Sequence, residues 1–381
     1  NDILKEAINM TKKIGIIGAG IVGSTTAYYL AKEGQEITVF DDGVGQATSA
    51  AAGIISPWLS QRRNKEWYFL AKEGAKFYHT LIKDLSETTD TAPIYQQTGT
   101  LLYKKNPKLL EKLEKLATER KIDAPEIGEI ATLTPTEIKT YIPNISIEDD
   151  ALYISGGAKI DGAALVSALT HEVKSLGNTI ISDKVTALNY IDNQWQVTSN
   201  NNIYTFDQLV LASGAWIGDL LRPLNFYVDV RPQKGQLIEL DTNLDTTNWP
   251  VIMPVGETDI IPFDQGKILI GATHQNEAGF NLEREPDVLN TLKEQGTSIM
   301  KDLANFNIKH TRIGTRAYTS DFSPFFGEIS TLPNLLVASG LGSSGLTTGP
   351  IIGKTLADWC LEKNTDFENY RSKPNSYIYP N

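Results

Sequence analysis

Residues 13–42, KIGIIGAGIVGSTTAYYLAKEGQEITVFDD, run as strand, turn, helix, strand and acid without interruption. The apolar stretch 14–17 leads into Gly18-Ala19-Gly20-Ile21-Val22-Gly23, a helical pattern follows to Lys32, and a second strand over 36–40 ends on Asp41. Each glycine has a mechanical task in holding a dinucleotide. Gly18 permits the tight turn, Gly20 lets a pyrophosphate approach bare backbone, and Gly23 lets helix and strand pack closely. The unpaired N–H groups at the helix start, around Ile21 and Val22, are offered to the anion. Asp41 lies about 20 residues beyond the first glycine, where a carboxylate accepts hydrogen bonds from a ribose hydroxyl. An acid at that place repels a 2′-phosphate, so NADP fits worst.

Composition narrows the class. A chain of 381 residues with 41% hydrophobic side chains is long enough for two or three domains. With 35 basic and 46 acidic residues the net charge is −11, so no global field favours nucleic acid or an anionic membrane. Cys360 is the single cysteine. It excludes an intramolecular disulfide and argues against a thiolate metal cluster; no metal site is expected, and a reducing, cytoplasmic setting fits. The opening NDILKEAINMTKK lacks the apolar core of a signal peptide, and there is no apolar run of about 18 residues for a transmembrane helix. Met10 reads as a natural start, with residues 1–9 preceding it.

Further along, the small-residue stretch 43–53, GVGQATSAAAG, is too poor in bulk for a core and too apolar for a solvated linker, so something presses on its backbone. Amphipathic spacing predicts helices over 66–85 and 107–120. Residues 98–105 read as a strand, 157–176 as a helix, and 179–185, 187–191, 195–198 and 203–206 as a β-meander turning at Ser199-Asn200-Asn201-Asn202. A buried strand over 208–212 ends in Ser213-Gly214. Strands are predicted over 228–240, 259–263, 267–272 and 335–338, with helices over 286–306 and 351–361.

The last of these helices comes after a second glycine-rich turn, 340–350, GLGSSGLTTGP. A nicotinamide enzyme needs only the first such turn. Two turns far apart favour FAD, a longer ligand closed over by several segments, and the positive end of the last helix would face a reduced, anionic flavin ring. The nearby run 349–355 is no P-loop, because three residues separate its glycines where four are needed to cradle phosphates.

Over most of its length the chain resembles the D-amino-acid oxidase and glycine oxidase family of flavoenzymes. The resemblance rests on GIIGAGIVG, ATSAAAGI, VLASGAWIGDL, VRPQKGQL, KILIGAT, GTRAYTSDFSPFFG and GLGSSGLTTGP, which occur in the family's order and spacing. It implies an α/β protein with a Rossmann-type, glutathione-reductase-like FAD domain (10–80, 157–222 and 313–370). A second, mixed β-sheet substrate domain (81–156 and 223–312) would cover the ring. Non-covalent FAD would lie along Gly18, Gly20, Ile21, Val22, Gly23, Asp41 and Asp42, with its adenine against Val185. Its flavin end would meet Thr48, Ser49, Ala51, Ala52, Gly53 and Ile54, with Ser213 and Gly214, then Leu341, Gly342, Ser343, Ser344, Gly345, Leu346 and Thr347. Covalent attachment at Cys360, beyond the flavin-facing turn, is not expected.

Arg316 in Gly314-Thr315-Arg316 resembles the arginine that fixes the substrate carboxylate, a grip a guanidinium makes with two parallel hydrogen bonds. The implied reaction oxidises the C–N bond of glycine, a D-amino acid or a related secondary amine to an imino acid, and positioning is most of what the protein contributes. The chain departs from the family where Asp259 replaces a pocket tyrosine and His274 a methionine; an aspartate there suits a cationic group. Leu269 stands where the sarcosine-oxidase branch has a lysine, which leaves oxygen or an electron carrier as the acceptor. Two other readings remain: a nicotinamide-dependent dehydrogenase and a nucleotide-binding module without catalysis.

Overall fold

In the computed structural model, which describes residues 11–381, the strand Lys13–Ile17 lies between Glu36–Phe40 and Gln208–Leu211 and runs parallel to both. The reading of Met10 and residues 1–9 falls outside the described residues. Thr179–Ile181 and Leu335–Ser339 extend the parallel set on either side, and antiparallel Phe325–Glu328 closes one edge. Ile14, Ile16, Val39, Val210 and Val337 are fully buried, as expected of a parallel sheet covered on both faces.

Four helices are central to the packing: α1 (Ile21–Lys32), α2 (Lys65–Leu85), α3 (Gly162–Ser175) and α4 (Gly345–Cys360). Every residue of α1 from Ile21 to Ala31 is buried. Its hydroxyls solve the resulting problem locally, since Ser24, Thr25 and Thr26 donate to the carbonyls of Gly20, Ile21 and Val22 at 2.7, 2.6 and 2.9 Å. Small residues let α4 approach: a Cβ on Gly353 would stand 2.7 Å from Val22 O, and one on Gly349 would stand 2.4 Å from Ile21 Cγ2.

Helix α4 carries Pro350 in its second turn. Proline has no N–H for the carbonyl four residues earlier, and that carbonyl, Leu346 O, accepts instead from the Tyr78 hydroxyl of α2 at 2.5 Å. At the same contact a Cβ on Gly74 would lie 2.1 Å from Thr347 O. Gly74→Ala is therefore expected to destabilise the protein by about 1–3 kcal/mol through overpacking, read as a lower midpoint of thermal unfolding.

The other large sheet has eight strands in the order Ile308–Tyr318, Arg231–Asp241, Lys267–Gly271, Asp259–Pro262, Val251–Met253, Thr100–Leu102, Ala151–Ile154 and Ile130–Leu133. Its one parallel pair joins Val251–Met253 to Thr100–Leu102. The α/β class with a separate mixed sheet is thus the observed architecture. Its first strand, Ile308–Tyr318, runs across residue 313.

Several boundaries differ from the sequence reading. The helix expected over 157–176 starts at Gly162, capped by Asp161, which accepts from Ala164 N–H at 3.2 Å. Before it, Ala158–Ile160 is a strand pairing with Ile54–Ile55 and Tyr95–Gln96. The helix expected from 351 starts six residues earlier, inside the glycine-rich turn. The helix expected over 286–306 stops at Ile299, where buried, extended Met300 passes into a 3-10 turn.

Candidate active site

Two contiguous cavities run between the sheets. The first is lined by the α1 turn (Gly18, Gly20, Ile21, Val22), by Asp41, Asp42, Thr48 and Val185, by Ser213 and Gly214, and by Leu341, Gly342 and Gly345. The second, of about 340 Å³, shares Thr48, Gly342 and Gly345 with the first and continues over Ala51, Ala52, Gly53, Ile54 and 343–347 to Asp259, His274 and Arg316. Of the residues expected at the site, Gly23 and Ser49 line neither cavity. Gly23 serves packing, since a Cβ there would stand 1.8 Å from Gly18 O, and the Ser49 hydroxyl donates to Gln46.

The first cavity has the form of a dinucleotide cradle. Gly20 and Gly345 have ordinary φ values of −67° and −57°. A Cβ on Gly20 would meet nothing nearer than Thr48 Oγ1 at 3.4 Å, and one on Gly345 nothing nearer than Leu341 Cβ at 3.8 Å. Neither the backbone nor the packing requires these glycines, and the space they leave belongs to the cavity. The buried hydroxyls of Ser213 and Thr315, both in its wall, have no protein partner, which suits a polar ligand. Helices α1 and α4 both begin at its wall, and two positive helix ends suit an anionic ligand.

Asp41 is held in the wall of this cavity by the backbone. Its Oδ2 accepts from Ala19 N–H at 2.5 Å and its Oδ1 from Gly43 N–H at 2.6 Å, and each carboxylate oxygen keeps further acceptor capacity. Thr48 ties the small-residue stretch to the turn by accepting from Ile21 N–H at 2.9 Å. Cys360 is fully buried at the far end of α4, about 24 Å from its start at ~1.5 Å per residue.

Arg316 stands opposite Gln233 in the register of Ile308–Tyr318 against Arg231–Asp241. A Cβ on Gly235 would lie 2.7 Å from its Nη1, and one on neighbouring Gly314 would lie 2.8 Å from Ala50 Cβ. These two facing glycines admit the guanidinium on one side and the Ala47–Ala50 turn on the other. Nη1 donates to Thr273 O at 2.8 Å and to Gln233 Oε1 at 3.1 Å. Among the described residues Nε and Nη2 have no partner and no carboxylate lies within ion-pair distance. Burial lowers the Arg316 pKa below its ordinary value, but an arginine remains charged.

His274 shares the cavity, and burial, then the charge of Arg316, pull its pKa below 6.5, against a smaller upward effect of Glu257. The imidazole is therefore neutral at pH 7. Asp259, placed on Asp259–Pro262, is pushed up to about 7 by burial. Sequence reasoning missed Trp67, which lines the cavity and donates from Nε1 to Ser344 Oγ at 3.1 Å. It also missed Glu257 and Met253; no local pattern marks either.

Known proteins are similar to this chain over most of its length. The oxidoreductase YurR of Bacillus subtilis (strain 168) is 38% identical over 93% of this chain and 96% of its own. The iminodiacetate oxidase IdaA of Chelativorans sp. BNC1 superimposes with a TM-score of 0.90 at 31% identity, covering 94% of this chain and 99% of its own. A glycine oxidase of Pseudomonas putida is 27% identical over 90% and 92% of the two chains. Residues 13–359 match the family described as FAD dependent oxidoreductase, DAO. With the two-ended cradle, the free guanidinium and this match along nearly its whole length, the chain belongs to the DAO family of FAD-dependent oxidoreductases, and FAD is its cofactor.

Proposed function

We propose that this protein oxidises the C–N bond of a small amino acid, glycine-like or of D configuration, or of a secondary amine built on one, to the imino acid. The observation that carries this reading is Arg316, a guanidinium inside the cavity whose Nε and Nη2 face no carboxylate of the protein. Such a fork is complementary to a substrate carboxylate. Gln233 and Thr273 O hold the guanidinium in place, and neutral His274 offers a hydrogen bond without adding charge. FAD, held along the two cavities, would supply the two-electron acceptor for the Cα–H. The chain's task is to aim that Cα, and the apolar wall of Ala52, Ile54 and Met253 excludes water around it. Likeness to the iminodiacetate and glycine oxidases supports the same class of amine.

A second reading replaces oxygen by an electron carrier. Its support is Leu269, an uncharged side chain fully buried among Leu237, Val251, Ile261 and Phe263 on the face that meets Ala52 and Ile54. The test of both is the visible spectrum of the FAD-loaded protein, recorded anaerobically with glycine, sarcosine, iminodiacetate, proline and D-amino acids. Bleaching by one of these is the expected result, and failure of all of them would sink the proposal. The rate at which colour returns in air then separates oxidase from dehydrogenase.

A further inference from the structure

The cavity face of the eight-stranded sheet carries an acid that no group among the described residues satisfies. Asp259 alternates along its strand with Ile261, so both face the same way, and Ile261 belongs to the apolar cluster that packs on Ala52 and Ile54. The register partner of Asp259 is Gly271, which brings no side chain to it. Among the described residues no cation of the sheet pairs with it. Lys267 and Arg312 reach Asp161 at 2.7 and 3.4 Å, Lys234 reaches Glu285 at 2.6 Å, and Arg316 is held by Gln233 and Thr273. Among the described residues no hydrogen bond or ion pair involves the Asp259 carboxyl. The charged or titratable groups that line the same cavity are Glu257, His274 and Arg316.

An unpaired carboxyl in this place answers a need of the proposed reaction, on which the inference rests. A free amino acid arrives as an ammonium, whose pKa, ~10 as for a lysine amine, lies well above neutrality. An ammonium nitrogen has no lone pair with which to form C=N, so its proton must leave before the Cα–H can. His274 is disfavoured as the acceptor by burial and then by neighbouring Arg316, and Glu257 is exposed to water. We propose that Asp259 is the catalytic base that takes this proton while the substrate carboxylate rests on Arg316. One N–H bond of the ammonium breaks and one O–H bond forms on Asp259; no electrons are exchanged, and the neutral amine keeps the pair that later forms the imine. Desolvation, which lifts the carboxyl to about 7, matches its affinity for protons to the task.

The test uses the FAD-loaded wild type, Asp259→Asn and Asp259→Glu, with an amine that bleaches the wild type, mixed anaerobically between about pH 6 and 10. In the wild type the second-order rate of reduction should rise through a limb near pH 7. In Asp259→Asn it should be about 100-fold lower at pH 7 and climb only as the amine itself deprotonates, meeting the wild type at high pH. Asp259→Glu should keep a limb near neutrality. Independently of turnover, infrared difference spectra between acidic and alkaline protein should show a protonated carboxylic acid band that Asp259→Asn lacks. An unchanged pH profile in Asp259→Asn, an equal loss at every pH, or a change in substrate ranking alone would each overturn the role of Asp259 while leaving the proposed function standing. A wild type that no amine bleaches would remove the proposed function and this role together.

Discussion

Arg316→Met should lower kcat/KM for the amino acid substrate about a thousandfold, equivalent to ~4 kcal/mol, while the visible spectrum of bound FAD stays as in the wild type. Removing one partner of a desolvated charge pair costs about 3–5 kcal/mol, because the other charge is left buried and unpaired. Here the stranded charge would be the substrate carboxylate. Methionine fills most of the stem volume, and Gly235 and Gly314 on either side keep their room, so the sheet register need not change. Arg316→Lys separates charge from shape. It keeps the cation but loses the two-pronged grip, and it should recover only part of the loss, since a single ammonium fixes one oxygen and lets the Cα swing. Steady-state kinetics of the two variants, with flavin spectra as control, check this. Equal kcat/KM in wild type and Arg316→Met would place the carboxylate elsewhere.

The other large effect is expected at Gly20. Gly20→Ala should weaken FAD binding about 100-fold, ~3 kcal/mol, and yet leave the melting point of the apoprotein close to that of the wild-type apoprotein. The asymmetry comes from the surroundings. A methyl on Gly20 meets Thr48 Oγ1 at 3.4 Å and Gln46 Cγ at 4.0 Å, both ordinary contacts, and otherwise projects into the cavity where the pyrophosphate must approach the backbone. Gly23→Ala should do the reverse, because its Cβ would collide with Gly18 O at 1.8 Å whether or not FAD is present. Titration of each apoprotein with FAD, set beside thermal unfolding, tells the two glycines apart. A Gly20→Ala protein that binds FAD normally would contradict the assignment of this cavity to the dinucleotide.

These two positions also show what was legible beforehand. The nucleotide turn could be read from local sequence, because tight turn, bare backbone and close helix contact each demand glycine at a fixed offset. The second turn was legible as small residues but not as a helix: glycine and threonine are weak helix formers, and what makes 345–350 helical is tertiary, the packing of α4 on α1 and the Tyr78 hydroxyl that takes the carbonyl freed by Pro350. Arg316, Asp259 and His274 were found through resemblance and through departures from it; no spacing rule unites residues on two different strands and a loop. Lys159 was invisible altogether. Inside the helix expected over 157–176 nothing marked it, but it lies on the strand Ala158–Ile160, its side chain is fully buried, donates to Trp249 O at 2.7 Å, and is pushed down to about 7 by burial.

The cradle's division between the two ends of the chain has a consequence for how the protein comes into being. The segments around Gly20 and Gly345 are separated by most of the sequence. At about 5–20 residues per second of synthesis, the second emerges roughly 15 s to a minute after the first. Throughout that interval the nascent Rossmann unit has neither Leu335–Ser339 nor α4, the strand and helix that complete its sheet and cover α1. The complete cradle is thus available to the cofactor only once the second turn has emerged and docked. Because FAD then binds only where both ends have met, its affinity acts as a fastener on the whole fold, adding stability with each increase of free FAD above its dissociation constant.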